Sequence, residues 1–84
     1  MPAMINVLFF ARLREQLGCA ELQLNYADLT DTDLLRRQLL EHYPQWQEFF
    51  DQKILVAINQ TLVKGNHPLK DGDEVAFFPP VTGG

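Results

Sequence analysis

Two glycines, Gly83 and Gly84, end the sequence behind Pro79-Pro80-Val81-Thr82. A glycyl carboxylate with no Cβ beside it lets another protein's backbone and a nucleotide phosphate come close to the terminal carbonyl. A free carboxylate is a poor acyl donor, so acyl chemistry at Gly84 requires activation, as by attack on the α-phosphate of ATP to give an acyl-adenylate. The chain has no phosphate-cradling loop, and the activation therefore falls to another protein. Six residues span at most about 20 Å when extended. Pro80 biases Pro79 toward extended geometry, and neither ring has an N–H for sheet pairing, so the two prolines end whatever strand precedes them and aim the rest outward. A terminal Gly-Gly alone is weak evidence and reads first as a slack chain end; its weight comes from what it is attached to.

The other residues with chemical potential are isolated. Cys19 has no CxxC partner and no histidine near it in sequence, which makes it an incidental thiol. His42 and His67 are too far apart in pattern to form a metal pair. Asp71-Gly72-Asp73 lacks the remaining ligands of a twelve-residue calcium loop and reads as a tight turn. No metal site and no permanently bound cofactor are expected.

The elements that must carry the tail follow from periodicity. Ile5, Val7 and Phe9 alternate with Asn6, Leu8 and Phe10, which predicts a strand over Met4 to Phe10. Arg12 to Leu17 reads as a short polar turn or helical stub stopped by Gly18, and Ala20 to Tyr26 alternates again through Leu22, Leu24 and Tyr26. Thr30-Asp31-Thr32-Asp33 offers N-cap oxygens and first-turn negative charge. Leu35, Leu39 and Tyr43 then form an apolar helical stripe that ends at Pro44. Trp46, Phe49 and Phe50 predict a further short turn of helix at the edge of the core.

Lys53 to Asn59 predicts a second long strand, apolar on both faces and central in the sheet. Thr61-Leu62-Val63 predicts a short strand, and Glu74 to Phe78 a last one. The order is strand, strand, helix, strand, short strand, strand. With one main helix across one face of a mixed sheet of about five strands, the first and last strands can pair in parallel around the helical crossover. This is an α+β, β-grasp (ubiquitin-like) arrangement: a domain over residues 1–78 and a flexible C-terminal tail over 79–84.

At 84 residues the chain holds one core and buries roughly 60–65% of its unfolded surface. Seven Lys and Arg against eleven Asp and Glu give a net charge of −4, which removes the electrostatic term behind most nucleic-acid affinity and disfavours anionic membranes. The acidic balance suits either a solvated surface or a basic protein partner. The apolar run from Met4 to Ala11 meets Arg12, Arg14 and Glu15 at once, unlike a secretory segment, and no run approaches the roughly 20 apolar residues of a membrane span. A single cysteine precludes an intrachain disulfide and points to a reducing, cytoplasmic setting.

Three stretches carry a resemblance: Ile5-Asn6-Val7-Leu8-Phe9-Phe10-Ala11, Ala57-Ile58-Asn59-Gln60, and Asp71-Gly72-Asp73-Glu74-Val75-Ala76-Phe77-Phe78-Pro79-Pro80-Val81-Thr82-Gly83-Gly84. Together they resemble the MoaD family, the small sulfur-carrier subunits of molybdopterin synthase, over essentially the whole chain from Met4. Met1-Pro2-Ala3 then reads as an extension. The resemblance implies that a MoeB-like enzyme spends ATP to adenylate Gly84, that a persulfide donor converts the glycyl adenylate to a thiocarboxylate (1-thioglycine), and that Gly83 helps thread the tail. It further implies docking on a MoaE-like large subunit, in a heterotetramer of two small and two large subunits. The large subunit would hold the substrate site, where sulfur passes to cyclic pyranopterin monophosphate. On this reading the chain is no enzyme on its own.

Strand alternation proposes the docking face. If Ile5, Val7 and Phe9 pack under the helix, then Leu8, Phe10, Ala76 and Phe78 lie adjacent and exposed on the other face, where Leu62 could extend the patch. The opposite parity, with Phe10 buried, remains open at this stage. Pro79, Pro80, Val81 and Thr82 would follow the tail into the partner, and the resemblance makes Arg14 a polar rim contact. A thiamine-pathway sulfur carrier, a ubiquitin-like modifier of lysines and a non-covalent interaction domain are the competing functions.

Overall fold

The computed structural model describes residues 4–25, 30–51 and 53–79. The expectations for Tyr26, Pro80, Val81, Thr82, Gly83 and Gly84 lie outside the described residues. The elements are β1 (Met4–Phe9), α1 (Ala11–Leu17), β2 (Glu21–Asn25), α2 (Thr32–His42), a 3-10 turn (Pro44–Trp46), α3 (Gln47–Phe50), β3 (Leu55–Ile58), β4 (Thr61–Val63) and β5 (Glu74–Phe78). They form one mixed sheet in the order β2-β1-β5-β3-β4. β1 and β5 pair in parallel, and every other neighbouring pair is antiparallel.

Local chemistry sets the element ends. Asp31 caps α2 by accepting from the Leu34 N–H at 2.9 Å, with Asp33 in the first turn, as the helix-start signals predict. Asn66 supplies a second cap, since its Oδ1 accepts from the Asp33 N–H at 2.9 Å. Gly18 ends α1 in the left-handed region at φ 68°, where a Cβ is disfavoured. Asn59 and Gln60 both have positive φ, 50° and 71°, the twist that a two-residue hairpin between β3 and β4 requires.

The core face of the sheet carries Ile5, Val7 and Phe9 from β1 with Val75 and Phe77 from β5, all buried against Leu35 and Leu39 of α2. Phe77 stacks on Phe9 with centroids 5.8 Å apart and meets Phe50 edge-on at 5.4 Å. Trp46 packs edge-on against Phe9 at 5.4 Å. These offset and edge-to-face geometries favour the ring quadrupoles beyond what burial alone contributes.

Three expectations need correction. α1 is not merely a polar turn: Leu13 and Leu17, one turn apart, are both buried in the core cluster, because a helix laid beside the sheet turns its i and i+4 positions inward. β3 is shorter than predicted and is not the centre. β5 takes that place, flanked by β1 and β3, while β3 has only β4 beyond it. Ala76 points to the outer face but is 4% exposed, since it sits in the central strand between β1 and β3, with Leu8 beside it and Glu74 and Phe78 before and after it on the same face.

Candidate functional site

The outer face of the sheet is built from cross-strand rows. Leu8 registers with Ala76, Ala76 with Ala57, and Ala57 with Leu62, so these four side chains share one face across four strands. A second row holds Phe78 and its register partner Leu55. Phe10 enters beside Phe78 from the end of β1: its N–H donates to the Phe77 carbonyl at 3.2 Å, and its ring stacks on Phe78 at 4.9 Å and 9°. Phe10 is the residue that caps α1, with extended backbone, so the start of α1 and the last residue of β5 present one aromatic pair.

Among the described residues Phe10 and Leu62 are the exposed large hydrophobic ones, at 38% and 66%, whereas Leu8, Phe78 and Pro79 are half-buried. The open parity question is decided in favour of Phe10 outward. Phe10, Phe78 and Leu62 thus lie on one face, together with Leu55 and Ala57, which alternation along β3 places there too. Pro79 leaves this face directly after the central strand. Arg14 sits one turn along α1 with its side chain exposed, joined to Phe10 through its N–H and the Phe10 carbonyl at 3.3 Å.

Three residues outside the expected set hold this platform in register. Asn59, at the β3–β4 turn, donates through Nδ2 to Asp73 Oδ1 at 2.9 Å and accepts through Oδ1 from the Glu74 N–H at 3.0 Å. The second oxygen of Asp73 accepts from the Lys70 N–H at 2.8 Å, and Asp71 Oδ1 accepts from the Met4 N–H at 3.0 Å. Both aspartates of the Asp71-Gly72-Asp73 turn are therefore tied to protein donors, which fix the starts of β1 and β5. The signal in sequence is the Asn at a turn position tolerant of positive φ. Its partner, fourteen residues away, gives no local sign. Cys19 is half-buried, with its thiol directed to the Glu21 carbonyl at 3.5 Å.

A mixed sheet with parallel first and last strands and a crossover helix between them defines a ubiquitin-like β-grasp domain, here with an outward-facing aromatic pair where the last strand ends. The ThiS family model matches residues 7–84. The chain is 50% identical over 82 residues to the molybdopterin synthase sulfur carrier subunit of Escherichia coli K12, covering 96% of this chain and all of that protein. It is 46% identical to the protein of the same name from Haemophilus influenzae, at the same coverage. Among solved structures, the complex of subunits 1 and 2 of the molybdopterin-converting factor from Helicobacter pylori matches with TM-score 0.70 and 30% identity, over 96% of this chain and 99% of that one. Small archaeal modifier protein 1 from Methanosarcina acetivorans matches with TM-score 0.76 and 28% identity, over 100% and 99%. The chain belongs to the ThiS family, among its molybdopterin synthase sulfur carrier subunits.

Proposed function

We propose that this protein carries sulfur as a thiocarboxylate on Gly84 for the synthesis of molybdopterin. The observation that carries the reading is the 50% identity to a sulfur carrier subunit over the whole of that protein, and the aromatic pair at the root of the tail is its structural counterpart. A carboxylate oxygen of Gly84 attacks the α-phosphate of ATP on a MoeB-like enzyme and expels pyrophosphate. The terminal sulfur of a donor persulfide displaces AMP, and a thiol cleaves the resulting acyl disulfide, leaving the thiocarboxylate here and a disulfide on the donor side.

The loaded carrier docks its outer sheet face on a MoaE-like large subunit, with Phe10, Phe78, Leu62 and the rim residue Arg14 in contact. Pro79, Pro80, Val81, Thr82 and Gly83 lead Gly84 to the substrate site on that subunit. There the sulfur passes to cyclic pyranopterin monophosphate. An apolar patch rimmed by polar groups suits such a docking role, and the likeness to a two-subunit molybdopterin-converting factor complex supports a large-subunit partner. A heterotetramer of two carriers and two large subunits is the assembly proposed.

The test is reconstitution with ATP, a MoeB-like enzyme and a persulfide source, read by intact mass. The protein gains the difference between one sulfur and one oxygen atom; an unchanged mass, with the Escherichia coli relative loading in parallel, overturns the reading. The likeness to an archaeal modifier protein favours a second use of the same glycyl adenylate, attachment to lysines. Isolation from cells solely as lysine-linked conjugates would replace the carrier reading with that one.

A further inference from the structure

On the helical side of the sheet, between the start of α2 and the β3–β4 edge, lies a cleft of about 590 Å³. Its floor includes Phe77, Val56 and Val63, which register with one another across β5, β3 and β4. They continue the buried Phe9–Phe77 row to the sheet's edge, where Val56 and Val63 are only partly covered. Its rim carries Arg36, Lys53 and Lys64 against one carboxylate, Asp33. Three of the seven cations of a chain with net charge −4 thus converge on one apolar groove. Arg36 is fixed there, because its guanidinium donates to the Phe50 carbonyl and lies 5.7 Å from the centroid of the Phe50 ring.

We propose that this cleft binds an extended, acidic and aliphatic peptide segment of a partner protein. The rim charge is complementary to acidic side chains, and the floor takes aliphatic ones. β4 is an edge strand alongside which an extended backbone can lie. A small polar metabolite fits less well, because polar groups that orient such ligands are missing from the floor. The hydroxyl in the lining, that of Thr32, is already engaged: it donates to Asn66 Oδ1 at 3.2 Å and accepts from the His67 N–H at 3.0 Å.

The floor of the cleft, formed by Val56, Val63 and Phe77, faces away from Phe10, Phe78 and Leu62, since Leu62 and Val63 alternate along β4; the two surfaces adjoin at Leu55, the register partner of Phe78, which also borders the cleft. A partner held on that floor leaves Phe10 and Leu62 open. The inference goes beyond the carrier reading and is independent of the chemistry of Gly84.

The test is titration of the synthetic peptide Glu-Glu-Val-Ile-Val-Glu-Glu into the isotope-labelled full chain, followed through backbone amide signals. Shifts are expected at Val56, Val63, Lys64 and Gly65 and not at Phe10 or Phe78, and a peptide with Lys in place of each Glu should produce none. Lys53→Glu with Lys64→Glu should weaken binding about tenfold or more. Both lysines are exposed, and Lys53→Gln with Lys64→Gln, which should lose less, serves if the reversed pair perturbs the fold. No shift at millimolar peptide, shifts on the Phe10–Phe78 face instead, binding indifferent to both lysine pairs, or movement of the same amides by ATP or pyrophosphate but not by the peptide would each overturn the proposal.

Discussion

Phe10 and Phe78 stack nearly parallel, 4.9 Å between ring centroids, one at the entrance to α1 and the other at the exit of the central strand. The parallel pairing of β1 with β5 brings both strand ends to the same side of the molecule. Pro79 therefore leaves β5 beside an apolar surface. A partner that grips the pair lies next to the point where the chain leaves the sheet.

Truncating this pair should harm association more than folding. Phe78→Ala is expected to cost about 2 kcal/mol in binding to the large subunit and about 1 kcal/mol or less in domain stability, as measured by calorimetric titration and urea unfolding. A double-mutant cycle with Phe10→Ala should give a coupling of about 0.5–1 kcal/mol in the free protein. Unfolding of the domain by Phe78→Ala alone would show that the ring serves the core.

Leu13→Ala tests the role of α1. Leu13 is fully buried, so its loss should cost about 2–5 kcal/mol, a large share of a total of about 5–15 kcal/mol. Urea denaturation checks this. A loss no larger than that of an exposed neighbour such as Arg12→Ala would contradict the assignment of α1 to the core.

Asn59 separates backbone from side-chain effects. Asn59→Gly keeps the positive φ but removes two hydrogen bonds and should cost about 1–2 kcal/mol. Asn59→Ala loses the same bonds and adds strain of about 1 kcal/mol. Thermal melts of the two variants should rank Gly above Ala, and the reverse order would mean the turn had relaxed to another conformation.

Deleting Gly83 and Gly84 should leave the melting transition unchanged, because among the described residues every buried core side chain lies between Ile5 and Phe77, yet abolish the mass gain in the loading reaction. Sulfur loading that survived the deletion would remove the chemical basis assigned to the tail.

Much of the fold was legible along the chain. The alternation of Ile5, Val7 and Phe9 and the stripe through Leu35 and Leu39 mark the buried faces, and the Thr30-Asp31-Thr32-Asp33 stretch and Pro44 mark the helix ends, although only the structure picks Asp31 as the cap. The sequence also separates Phe10 from Phe9, once the helix is taken to cover the Phe9 face. The chemistry expected of Gly84 rests on residue type and family likeness, both properties of the linear chain.

What the linear pattern alone determined is therefore which side chains share a face and, apart from the ends of β3, about where the elements lie, because both depend on backbone geometry over a few residues. Tertiary structure alone decided that β5 and not β3 is central, that Leu13 and Leu17 join the core, that Ala76 is covered by its neighbours, and that Arg36, Lys53 and Lys64 meet around one cleft. Each of these depends on which distant segments pair and how one layer lies on another, and no local period encodes that.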